Sequence, residues 1–222
     1  MSAPATLRNK TYGRLATALL FLIPVVTFIK IAVETRDRDP LSGSLDVRIL
    51  QAIHTISTPS LDRLIVHVTN FGGVAAIIFA TLIAAVILFI VHKRRAMAIL
   101  LIGVGGAAII NALLKMSFQR IRPSLWVPII TEKSYSFPSG HAMLSSALAL
   151  SVILILWKTR WRWIAVTAGT IYIVIIGFSR LYLGVHYPSD VAAGWLVSFV
   201  WLLTVKTILT RRQLRAASKE IA

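Results

Sequence analysis

Residues 179–190 read S-R-L-Y-L-G-V-H-Y-P-S-D and join two apolar runs, 163–178 before them and 191–205 after. An arginine, a histidine and a carboxylate therefore sit where one long apolar segment ends and the next begins. Arg180 left in hydrocarbon would cost about 2.5–3.5 kcal/mol, so it is expected to face a polar cavity. Pro188 suits the first position of a helix, which puts His186 just before that helix and Asp190 in its first turn. A carboxylate on one imidazole nitrogen fixes the tautomer and leaves the other nitrogen as a lone-pair nucleophile. A purely structural His/Asp pair at a membrane interface is the plainer alternative.

Four more apolar runs lie upstream, at 15–33, 74–91, 96–114 and 142–157. Each of the six is close to the ~20 residues that cross ~30 Å of hydrocarbon. The chain is 57% hydrophobic and 14% charged, with a mean hydropathy of +0.78, which excludes an ordinary soluble domain. The expected fold is all-α, a polytopic membrane protein with six transmembrane helices forming one domain over 1–222. The first run follows basic residues as a signal peptide does, but it is long and has no small-residue cleavage site before Glu34. It is read as an uncleaved anchor. There is no cysteine, hence no disulfide framework or thiolate metal site.

The net charge of +16 would point to nucleic acid in a soluble protein, yet no nucleic-acid module is present. In a membrane protein basic residues gather in cytoplasmic loops. Arg8, Lys10 and Arg14, residues 93–95, Lys158, Arg160 and Arg162, and the C-terminal Lys206, Arg211, Arg212, Arg215 and Lys219 fall on one side of six crossings. They hold 14 of the 24 basic residues and give that side +13, against +3 opposite. Both termini are therefore expected in the cytoplasm. The 179–190 stretch then faces outward, toward the periplasm of a bacterial inner membrane.

Two other stretches fall on that outer face. In Pro138-Ser139-Gly140-His141, read as a proline-initiated helix start, the first amides lack intrahelical partners and the helix dipole favours an anion. Gly140 permits close approach, Ser139 adds a hydroxyl and His141 can donate a proton. In K-M-S-F-Q-R-I-R-P (115–123), Lys115 and Arg122 are expected to neutralise phosphate oxygens. Arg120 is read as a cation snorkelling to the interface. The outer connection 34–63 contains a short helix starting after an N-cap Ser44, with Leu45, Ile49, Leu50, Ile53 and Ile56 on one face. It either lies in the lipid interface or packs as a loop helix. Gly72, Gly73, Gly103, Gly105 and Gly106 are assigned to helix packing. Trp157, Trp161 and Trp163 form an aromatic belt, and His54, His67 and His92 are taken as structural.

Together the three stretches resemble the three signatures of the type 2 phosphatidic acid phosphatase superfamily. These are K-x6-R-P (Lys115, Arg122, Pro123), P-S-G-H (138–141) and S-R-x5-H-x3-D (Ser179, Arg180, His186, Asp190), with all eleven fixed positions present. The resemblance implies a lipid phosphate or diphosphate phosphatase whose site spans 115–190. His186 would attack phosphorus while Asp190 holds its ring and His141 protonates the leaving group. Lys115, Arg122, Ser139, Gly140 and Arg180 would bind the phosphoryl oxygens, with no metal and no cofactor. The substrate would be a membrane lipid such as undecaprenyl diphosphate, phosphatidylglycerophosphate or phosphatidic acid. Transfer to an acceptor lipid is the alternative within catalysis, and an anion transporter or membrane scaffold the alternative outside it. Nothing in the sequence fixes the oligomeric state.

Overall fold

A computed structural model describes residues 5–37 and 44–220, with side chains described within 17–36 and 44–212. The regular elements among the described residues are all helices: α1 (Ala5–Asp37), α2 (Leu45–His54), α3 (Pro59–Asn70), α4 (Val74–Ile90), α5 (Arg94–Phe118), α6 (Gly140–Leu156), α7 (Arg162–Tyr182) and α8 (Pro188–Glu220). Four of them are long and apolar enough to cross a membrane: Thr17–Arg36 within α1, Arg94–Phe118, Arg162–Tyr182 and Pro188–Arg212. The pair α3–α4, bent by 43° at residues 71–73, would make a fifth.

α6 is the short apolar helix, and it is the one the others surround. Ala142, Met143, Leu144, Ser145, Ser146, Ala147, Ala149 and Ser151 are all buried. Its alanines and serines let α5, α7 and α8 pack closely around it. The core of Ile77, Leu100, Val104, Ala107, Met143, Ala147 and Leu202 joins α4, α5, α6 and α8. α4 presents the opposite situation, since Ile78, Phe79, Leu82, Val86, Phe89 and Ile90 are each more than half exposed. A helix that is apolar all round and only partly covered by protein is built for lipid contact.

Glycine placement follows the packing expectation at three of five positions. A Cβ on Gly106 would lie 2.3 Å from the Trp201 ring, on Gly103 2.7 Å from Ser151 Oγ, and on Gly72 2.4 Å from Ile176. Gly105 faces open space within 4 Å and packs against nothing there, while Gly73 caps α4 beside His141. Trp157, Trp161 and Trp163 are exposed around the α6–α7 turn, with Arg160 and Arg162 each 4.9 Å over a Trp ring.

α2 begins after Ser44, whose Oγ accepts from the Val47 amide at 3.4 Å. Its buried face differs from the expected one. Val47 and Leu50 are covered, while Leu45 is 70% and Ile56 50% exposed. The helix is turned because Asp46 reaches into α8, where its carboxylate accepts from the Ser189 amide at 2.9 Å. α2 thus packs against α7 and α8 as a loop helix. α3, unanticipated, starts by ordinary rules, with Thr58 as N-cap and Pro59 first. Residues 38–43 of the connection between α1 and α2, and the side chains of Arg8, Lys10, Arg14, Arg215 and Lys219, lie outside the described residues.

The elements segregate two kinds of polar residue. His92, Arg94, Arg95, Lys158 and Lys206 line one cavity at the α4–α5 and α6–α7 turns. The C-terminal end of α5 and of α7 and the N-terminal end of α6 and of α8 meet at the other end of the bundle, around the residues that follow.

Candidate active site

α6 opens at Gly140 with Ser139 as its N-cap, whose Oγ accepts from the Ala142 amide at 3.5 Å. Pro138 therefore precedes the cap instead of starting the helix, because the serine side chain substitutes for a missing carbonyl. The first-turn amides of Gly140 and His141 still have no carbonyl four residues back within the helix. Pro188, by contrast, is the first residue of α8. The two helix starts are tied together, since the Ser139 amide donates to the Asp190 carbonyl at 3.0 Å.

α5 brings its own face to the same place. Asn111 donates to the Pro138 carbonyl at 3.3 Å. One turn later on that face, Lys115 lies beside Gly140, whose Cβ position is 3.9 Å from Lys115 Cε. Beyond α5, Arg122 Nη1 donates to the Val185 carbonyl at 2.7 Å and to His186 Nε2 at 3.0 Å. A guanidinium can only donate, so Nε2 is the ring's acceptor nitrogen and Nδ1 carries the proton. Nδ1 faces Asp190 Oδ2 at 3.4 Å. The carboxylate thus fixes the tautomer that leaves a lone pair on Nε2.

Arg180 is fully buried despite its charge. Its Nη1 donates to Thr69 Oγ1 at 2.9 Å, its Nη2 is bound by Glu132, and its Nε has no hydrogen-bond partner. His141 lies near Gly73, whose Cβ position is 3.7 Å from the ring Nε2. All eight sequence-assigned positions, Lys115, Arg122, Ser139, Gly140, His141, Arg180, His186 and Asp190, are therefore on one end of the bundle.

Three further residues enter the site: Glu132 and Ser136, which the sequence did not single out, and Arg120, which it assigned to the interface. Glu132 pairs with Arg180 and lies 3.9 Å from Arg122, so a carboxylate occupies the space between two of the cations. Burial acts to raise its pKa, but the two guanidiniums prevail and hold it below its ordinary 4.5. Ser136, buried, donates to Asp190 Oδ2 and lies 3.4 Å from His186 Nδ1. Arg120 does not snorkel. Its side chain is 8% exposed and pairs with both Asp190 and Asp46, because one buried and one partly buried carboxylate provide a better partner than the interface. The stretch 132–136 closes over the cations, with the Tyr135 carbonyl accepting from Lys115 and Arg122 and the Ser134 carbonyl from Arg122 Nε at 2.8 Å.

Burial, the largest influence, lowers His186 to about 3, with the Asp190 hydrogen bond opposing and Arg122 reinforcing the shift. The ring is neutral over the whole physiological range. Among the described residues no group of three or more His, Asp or Glu is placed to hold a metal ion. The other histidines take other places, His54 stacking at 4.0 Å on Trp126 and His92 lying at the α4–α5 turn on the opposite end of the bundle.

The model of the PAP2 superfamily matches residues 96–214, from the start of α5 well into α8. Phosphatidylglycerophosphatase B of Bacillus subtilis (strain 168) is 29% identical over 169 residues, 73% of this chain and 82% of that protein. An undecaprenyl-diphosphatase of Sulfolobus acidocaldarius is 32% identical over 167 residues, 72% of this chain and 77% of that one. The fold is similar to the crystal structure of a transmembrane PAP2 type phosphatidylglycerolphosphate phosphatase from Bacillus subtilis, with a TM-score of 0.74 at 24% identity over 88% of this chain and 96% of that one. It is also similar to Aquifex aeolicus LpxE, with a TM-score of 0.64 at 21% identity over 77% and 99%. The matched region contains all three signatures and every helix end on which they converge, and on that ground the chain belongs to the PAP2 superfamily.

Proposed function

We propose that this chain is a multi-pass membrane phosphatase that removes a phosphoryl group from a lipid phosphate or diphosphate through a phosphohistidine. The observation that carries this reading is the posture of His186. Its Nδ1 is held by a carboxylate and its Nε2 lone pair is turned toward Arg122. A neutral, oriented imidazole among Lys115, Arg122 and Arg180 suits attack on an anionic phosphorus.

In the first step His186 Nε2 forms a bond to phosphorus as the bond to the leaving oxygen breaks. The electron pair departs with that oxygen, which His141 protonates. Lys115, Arg122 and Arg180, with Ser139 and the Gly140 amide, stabilise the charge on the equatorial oxygens. In the second step water attacks phosphorus, His141 takes its proton and the P–N bond returns its pair to His186. The cations supply the charge stabilisation that a metal ion would otherwise provide, so the reaction is metal-independent. The incoming phosphoryl group displaces the Glu132 carboxylate, which pairs with the same guanidiniums.

The whole chain acts as one domain. α6 serves as a sixth crossing because its neighbours, not lipid, cover it, and ~17 residues rise about 25 Å. Six crossings put both termini on the basic, cytoplasmic side and the site on the outer, periplasmic face of a bacterial inner membrane. There the lipid tail remains in the bilayer while its head reaches the helix ends. The relatives act, by name, on phosphatidylglycerophosphate and undecaprenyl diphosphate. These two, with phosphatidic acid, form the first substrate panel for purified protein in detergent. Phosphate release by wild type and none by His186→Ala is the expected result, and equal release by the two proteins would refute the proposal.

A further inference from the structure

Arg120 is gripped from three elements. Nη1 donates to Asp190 and to Ser189 Oγ at 2.8 Å, Nη2 to Asp46 Oδ2 at 3.1 Å, and Cζ lies 4.0 Å over the Tyr187 ring. Asp46 is itself fixed by the Ser189 amide and hydroxyl. On Asp190 the two oxygens are divided: Oδ2 receives Ser136 Oγ, the Tyr187 amide at 2.9 Å and His186 Nδ1, while Oδ1 receives Arg120. Rotating that carboxylate would break the guanidinium contact.

We infer that Arg120 is a positioning residue for the phosphoryl transfer, acting through Asp190 and tied by Asp46 to α2. The inference rests on the phosphatase reading above. As Nε2 bonds to phosphorus, positive charge grows on the ring and the Nδ1 proton is drawn toward Oδ2. A guanidinium on Oδ1 favours the ionised carboxylate, so the proton stays on Nδ1. The intermediate is then a phosphoimidazolium. When water attacks, the P–Nε2 bond breaks and its pair goes to a ring that still bears Nδ1–H, leaving neutral imidazole. Without Arg120 the proton would drift to Asp190 and leave a poorer leaving group on phosphorus. α2 thereby contributes to the chemistry, since Asp46 balances the buried charge of Arg120.

The other charged groups around His186 and Asp190 are Lys115 on α5, Arg122 and Glu132 on the connection after it, His141 on α6 and Arg180 on α7. All stay in place in the variants that test the idea. Full-length protein in detergent is assayed as wild type, His186→Ala, Arg120→Gln, Arg120→Lys and Asp46→Asn. Arg120→Gln is expected to lose about 10–100-fold in kcat, the range commanded by partners that orient a reactive side chain. Its Ki for inorganic phosphate stays at the wild-type value, because Arg120 does not touch the anion cradle. Losing the positive charge makes His186 easier to protonate, so the variant-to-wild-type ratio of kcat/KM falls as pH drops through mild acid toward the range of His186 itself, about 3. Taking the ratio cancels the ionisation of the substrate. Arg120→Lys keeps the charge but cannot bridge two carboxylates, so kcat falls with a flat ratio. Asp46→Asn moves the ratio in the direction opposite to Arg120→Gln, and it decides the matter should Arg120→Gln fail to fold. Wild-type kcat in Arg120→Gln, or a ratio independent of pH in both Arg120→Gln and Asp46→Asn, overturns the inference. A wild type that releases no phosphate, or an active His186→Ala, would instead sink the phosphatase reading on which it stands.

Discussion

Replacing Glu132 by glutamine tests whether the carboxylate competes with substrate or helps to bind it. Glu132 pairs with the fully buried Arg180 and approaches Arg122 at 3.9 Å, with its own side chain 25% exposed. Hydrogen bonds to charged groups contribute about 1.5–3 kcal/mol, and partial exposure argues for the lower end. An anion entering between the guanidiniums must first break that pairing, so removing it should tighten anion binding by about 1.5 kcal/mol, roughly tenfold. Glutamine keeps the shape and can still accept from Arg180, which preserves packing while removing the charge. The assay is competitive inhibition by inorganic phosphate of the hydrolysis of a short-chain lipid phosphate. Glu132→Gln should lower Ki about tenfold, with KM moving the same way. A Ki that is unchanged or raised would show that the carboxylate is not a rival of the phosphoryl group and would refute its displacement.

Labelled substrate should leave a phosphoenzyme on wild type, none on His186→Ala, and a longer-lived one on His141→Ala, which lacks the group that takes water's proton. Chelator should not diminish phosphate release by the purified protein, and restoration of activity by a divalent cation after chelation would contradict the metal-free chemistry. With His186 lowered to about 3, its neutral form persists through mild acid, so kcat/KM should show no limb from this group near its ordinary 6.5. Such a limb, insensitive to the substrate's own ionisation and absent in a substrate-independent phosphate-binding assay of His141→Ala, would count against that environment. Gly184 has φ +68° and a Cβ there would lie 2.7 Å from Trp126 Nε1, so Gly184→Ala should destabilise the fold by at least the ~1 kcal/mol cost of the left-handed region and lower the melting temperature. A thermal-unfolding scan in detergent that shows no loss would contradict the strain assigned to this turn.

The six apolar helices were legible because lipid imposes a plain rule: each apolar run had to satisfy its backbone internally, and each falls inside a helix to within a residue, whereas α3 has no such run. The gathering of the eight candidate positions at one end of the bundle was legible because all of them border apolar runs on the same side of an alternating set of crossings. Arg120 was misread because a cation near a helix end has a cheap local explanation, and its two carboxylate partners lie 74 and 70 residues away. Glu132 and Ser136 belong to the 119–139 connection, which has no period to read, and only the chain's return across the site gives them partners. On α2 the apolar spacing fitted two adjacent faces, and the contact between Asp46 and Ser189 selected the one that buries Val47 and Leu50.

The amide of Ser139 and the carbonyl of Asp190 are joined main chain to main chain, and Gly194 leaves room for that junction, a Cβ there lying 3.0 Å from the Ser139 oxygen. Short of proline at 139, no side-chain replacement at 139 or 190 removes the donor or the acceptor. The spacing between the start of α6 and the start of α8 is therefore written in the backbone, and substitutions such as Ser139→Ala or Asp190→Asn can be interpreted as changes of chemistry at an unchanged separation. Gly194 is where geometry itself can be altered: a larger residue there would wedge the two helix starts apart while every reactive group remained present.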